Sequence, residues 1–77
     1  MNEAVTQIEF PLDREHVELH HLLKLTGVVD SGGMGKALVA SGAVTVDGMV
    51  ELRKTCKIRA GQVVRVDNVV IRVVAAT

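Results

Sequence analysis

Arg53, Lys54, Lys57 and Arg59 place four cations within seven consecutive residues, with no acid among them, in a chain whose formal net charge is zero. Guanidinium and ammonium groups at that density can grip a row of phosphates, or they can guard a solvated strand edge against pairing. The residue types alone leave both readings open. Charge is also segregated along the chain: residues 1–30 hold Glu3, Glu9, Asp13, Glu15, Glu18 and Asp30 against Arg14 and Lys24, a balance of −4. Residues 31–77 balance at +4, with seven bases against Asp47, Glu51 and Asp67. A module built this way can turn one positive face to a polyanion while staying neutral overall.

Three other groupings are candidates for chemistry. Gly32-Gly33-Met34-Gly35-Lys36 has the composition of a phosphate-cradling loop. The nucleotide-hydrolysing form needs a glycine six positions before the lysine and a hydroxyl after it, and here Asp30 and Ala37 stand there. What survives is a helix start with open backbone amides beside Lys36, either a modest anion site or a turn with a solvated lysine. His16 and His20 lie one helical turn apart, with His21 nearby, but Val17 occupies the place of the glutamate a zinc hydrolase would carry. Surface histidines are expected, with no metal and no cofactor. Cys56 between Lys54 and Lys57 would be an activated thiol if exposed. On a strand it would instead point inward with Ile58, and a small buried side chain is expected. No nucleophile has a paired base with a third orienting group, so the chain reads as non-catalytic.

The elements that must carry these residues follow from periodicity. Thr6, Ile8, Phe10 and Leu12 alternate with polar positions, giving a strand over 5–10 that Pro11 ends or confines to an edge. Asp13 can cap a following helix with Glu15 and Glu18 in its first turn, Leu19, Leu22 and Leu23 on one face, and Gly27 as its stop. Ser31 opens a second helix with Met34, Ala37, Leu38 and Ser41 on one side and Gly42 as its end. Its glycines cost about 1 kcal/mol each inside a helix, so its first turn is expected to be weak. From Ala43 the period becomes two. Val44 to Val46, the Asp47-Gly48 turn and Met49 to Leu52 form a hairpin, followed by strands over Gln62 to Val66 and Val69 to Val74.

Size and composition limit the function. Seventy-seven residues make one domain with a small core, since such a chain buries only roughly 60% of its unfolded surface. Cys56 is the only cysteine and Met1 to Phe10 lacks an export signal, so a cytoplasmic protein is expected. No run approaches the roughly 18 apolar residues of a membrane span. Phe10 is the only aromatic residue, which argues against a platform that stacks unpaired bases. A nucleic-acid contact here would rest on phosphates, sugars and shape.

Residues 17–74 resemble a known family, the RNA-binding domain named after the fourth protein of the small ribosomal subunit, whose core is the αL motif. The matching words are Val17-Glu18-Leu19-His20-His21-Leu22-Leu23-Lys24-Leu25-Thr26-Gly27, Ser31, Lys36-Ala37-Leu38-Val39, Gly42-Ala43-Val44-Thr45-Val46-Asp47-Gly48 and Ala60-Gly61-Gln62-Val63-Val64-Arg65-Val66. The resemblance implies an α+β fold with a short N-terminal strand, a two-helix αL hairpin, and a small, mostly antiparallel sheet of three to four strands. It implies one RNA-binding domain over 1–77, with the αL core about 16–74. It further implies that Lys24, Lys36, Arg53, Lys54, Lys57 and Arg59 meet structured RNA of the ribosomal or transfer class, with no catalysis, cofactor or membrane. Ribosomal or RNA-processing proteins are further expected partners. The family commonly has an arginine after the helix-opening serine, where Gly32 stands, and an asparagine where Asp47 stands. The alternative reading is a protein-interaction module whose positive face docks on an acidic partner.

Overall fold

The computed structural model describes residues 4–76; Glu3 and the ends of the expected 1–77 domain lie outside the described residues. The elements run β1 (Thr6–Leu12), β2 (Val17–Glu18), α1 (Leu19–Leu25), α2 (Gly32–Ala40), β3 (Val44–Val46), β4 (Met49–Val50), β5 (Lys57–Ile58), β6 (Val63–Val66) and β7 (Val69–Ala75). This is an α+β fold. The main sheet has five strands in the order β1-β7-β6-β3-β4, antiparallel except for the parallel pair β1 and β7, and β2 pairs separately with β5.

The strands follow from alternation. Val64 and Val66 of β6 and Ile71 and Val73 of β7 turn into the core, while Val63, Arg65 and Arg72 face out. Asp47 and Gly48 take φ of 50° and 86°, the left-handed pair that a two-residue hairpin turn requires. The expected strand over Met49 to Leu52 shortens to Met49–Val50. β1 runs to Leu12 rather than stopping at residue 10, with Pro11 in register opposite Val74. It is an edge strand, where proline's missing N–H is tolerated.

The first helix departs from the expectation. Asp13 does not cap it, and Glu15 and Glu18 are not in its first turn: α1 begins at Leu19, with Glu18 as an extended N-cap residue that makes no side-chain capping bond. Val17 is the reason. It is buried and pairs with Ile58, so residues 17–18 form a strand with Lys57 and Ile58. The helix instead receives remote backbone acceptors: the Leu19 and His20 amides donate to the Cys56 and Lys54 carbonyls at 2.9 and 3.0 Å. Gly27, at φ 80°, stops the chain as expected.

The second helix forms from Gly32, its glycines notwithstanding, because Ser31 Oγ accepts the Met34 amide at 3.2 Å. Its inward face is Gly35 and Val39, while Met34, Ala37 and Ser41, which share one side as their spacing predicts, are exposed. Leu38 is half-buried. Gly35 lets the two helices approach, since a Cβ there would lie 2.8 Å from the His20 carbonyl oxygen. Leu19, Leu22 and Leu23 of α1 share the core with Val39, Val44, Ile58, Val64 and Ile71, all fully buried. Among the described residues no polar or charged side chain is buried there, and no helix is long and apolar enough to cross a membrane.

Candidate functional site

The backbone of His20 is where three cation-bearing segments meet. Its carbonyl faces Gly35, the residue before Lys36, across the helix packing. Its amide donates to the Lys54 carbonyl, 3.0 Å away. Lys24 stands one helical turn further along α1, on the same side as His20. Lys57 lies opposite Glu18 in the β2–β5 pair, two residues from His20. Residues distant in sequence, from position 24 to position 57, are thereby tied to the two helices.

The cations are not electrostatically equal. Lys24, Lys36, Lys54 and Lys57 are exposed and make no ion pair among the described residues. Arg59 reaches Glu15 at 3.9 Å, a long and exposed pair worth little. Arg53 is held tightly: its Nε donates to Glu51 Oε2 at 3.0 Å, its Nη2 to Oε1 at 3.2 Å, and its amide to Oε2 at 2.9 Å. Hydrogen bonds from Arg53 hold the Glu51 carboxyl well below the usual range, at about 2, and hold the Arg53 guanidinium above its ordinary value.

Cys56 is half-buried and packs against the core beside Ile58. Burial first, then the Glu51 carboxylate, pushes its thiol up, which opposes the activated state its flanking lysines suggested. His20 is not a surface histidine: its side chain is 16% exposed, and Nε2 meets Glu18 Oε1 at 3.2 Å. His16 is half-buried and His21 exposed. No group of three metal-ligating side chains converges among the described residues.

Asp47 has a structural task. Its Oδ1 accepts the Val63 amide at 2.9 Å and its Oδ2 accepts Gln62 Nε2 at 3.3 Å, joining the β3–β4 turn to the start of β6. Sequence reasoning missed Glu51. Its signal was available, since residues two apart in an extended segment point the same way, so Glu51 and Arg53 could have been paired. The role of His20 at the junction left no such local trace.

The comparisons with known proteins agree with this architecture. The Escherichia coli (strain K12) protein YbcJ, provisionally named as RNA-binding, is 53% identical over 60 residues, covering 78% of this chain and 86% of YbcJ. YbcJ of Shigella flexneri matches to the same extent. The solution structure of E. coli YbcJ, described as revealing an αL motif involved in RNA-binding, superposes with a TM-score of 0.64 at 41% identity. It covers 95% of this chain and 91% of that one. The model of the S4 domain matches residues 10–74, and the chain belongs to the S4 domain family.

Proposed function

We propose that this protein is a non-catalytic RNA-binding protein, one domain over residues 1–77. It recognises folded RNA of the ribosomal or transfer class in the cytoplasm through Lys24, Lys36, Arg53, Lys54, Lys57 and Arg59. The observation that carries this reading is the junction at His20, which ties the segments bearing Lys36 and Lys54 to the helix bearing Lys24. The likeness to YbcJ, whose αL motif is described as involved in RNA-binding, supports it. With a single aromatic residue in the chain, affinity rests on phosphate contacts and shape rather than on stacking.

Filter binding to labelled E. coli ribosomal and transfer RNA across a salt series tests it. If about five cations each meet a phosphate, the logarithm of affinity falls with the logarithm of salt with a slope of about −3.5 to −4.5. The double variant R53A/K54A weakens binding across RNA sequences and makes the slope shallower. A slope unchanged by that variant removes these residues from the surface. A pull-down repeated after nuclease treatment separates RNA-mediated partners, which vanish, from a directly docked acidic protein, which stays.

A further inference from the structure

Resting on the RNA-binding reading, we propose that Glu51 is a positioning residue for Arg53: its carboxylate fixes the guanidinium so that the free edge takes one RNA phosphate. Arginine carries five N–H donors. Two of them go to Glu51, from Nε and Nη2, leaving both hydrogens of Nη1 and one of Nη2. The side chain stays 77% exposed, whereas that of Glu51 is only 17% exposed. The anchor is rigid: the Glu51 amide donates to the carbonyl of fully buried Val44 at 3.0 Å. Its carboxylate also takes the Arg53 amide at 2.9 Å, so the turn and the guanidinium share one acceptor. The planar fork that remains matches two oxygens of a phosphate.

Two effects of Glu51 oppose each other. A carboxylate about 7 Å from a phosphate across water weakens binding by about 1.5-fold at physiological salt. Immobilising a rotamer-rich side chain in advance strengthens it by about two- to tenfold. Positioning therefore outweighs repulsion, and removing the acid lowers affinity although it removes a negative charge.

The test measures binding of E. coli ribosomal and transfer RNA at 0.15 M salt by the wild type, E51Q, E51D, R53A, R53K and E51Q/R53A, with urea unfolding of each. We expect E51D to lose about two- to tenfold and E51Q, which also sheds the repulsion, about 1.3- to 7-fold, R53K to fall close to R53A because lysine has no fork, and E51Q to change little once Arg53 is gone. E51D retains the charge and shortens the reach, so a loss there cannot come from charge. Binding by folded E51Q as tight as or tighter than the wild type overturns the proposal. So does an equal loss from E51Q in the R53A background. A wild type that holds no RNA sinks the RNA-binding reading itself, a distinct result.

Discussion

A methyl group on Gly35 would lie 2.8 Å from the carbonyl oxygen of His20, so α2 reaches α1 only because position 35 has no side chain. Gly35→Ala would gain about 1 kcal/mol of helix propensity, yet it must move a backbone carbonyl of α1. Overpacking of this kind costs about 1–3 kcal/mol, and the net expectation is a loss of up to about 2 kcal/mol. Gly33 meets nothing nearer than Ser31 Oγ at 3.9 Å, so Gly33→Ala should stabilise by up to about 1 kcal/mol. Thermal unfolding decides it, with shifts of opposite sign and about 4–8 °C per kcal/mol. A more stable G35A variant would refute the close-approach argument.

These two glycines show where the sequence was legible and where it was not. Gly27 and Gly42 were readable as helix stops and Asp47-Gly48 as a turn, because each is a local conformational demand met at φ 80°, 84°, 50° and 86°. The leucine face of α1 was readable for the same reason: periodicity is local. The helix start was not, because the acceptors for the Leu19 and His20 amides come from residues 56 and 54. The inward face of α2 was not legible, because Gly35 gives no hydrophobic signal and yet faces the partner helix. The parallel pairing of β1 with β7 joins the two ends of the chain, a long-range choice that no window reveals. At the site, the cationic segment was visible, but the division into free lysines and a tethered Arg53 was not.

Asp47 should prove better than the asparagine usual at this turn. Gln62 Oε1 accepts the Arg59 amide at 2.7 Å, which commits Gln62 to presenting its Nε2 donors toward Asp47. An asparagine whose oxygen served the Val63 amide would turn its own NH2 against Gln62, two donors facing each other. Asp47→Asn should therefore cost about 0.5–1 kcal/mol and Asp47→Ala about 1–2 kcal/mol, the alanine also losing tolerance of the left-handed φ. Urea midpoints ranking wild type above D47N above D47A check this. An asparagine variant equal to the wild type would discard the donor-conflict argument.

Acid should weaken the fold through Glu51. Its carboxyl lies lower when folded, at about 2, than its ordinary value of 4.5, so the folded state binds the proton less readily than the unfolded chain. The stabilisation is fully present above pH 4.5 and is lost as pH falls toward 2. The urea midpoint of the wild type minus that of E51Q should be flat from pH 5 to 8 and shrink toward zero below. A difference that does not change with pH would mean that Glu51 acts without its charge.

The last prediction separates a site from mere net charge. Arg65 and Arg72 are exposed, and they alternate with buried Val64, Val66, Ile71 and Val73. They therefore project from the face of the main sheet opposite the core, whereas Lys24 and Lys36 ride on the helices. R65A/R72A and K24A/K36A each remove two positive charges, so a long-range field would treat them alike. Local phosphate contact would not: K24A/K36A should make the salt slope shallower by about 1.4–1.8, and R65A/R72A should leave it in place with affinity within about twofold. Filter binding at three or more salt concentrations gives both slopes. Equal losses from the two pairs would mean that Lys24 and Lys36 hold no privileged place in binding, because only the number of cations, and not their position, would then be felt by the RNA.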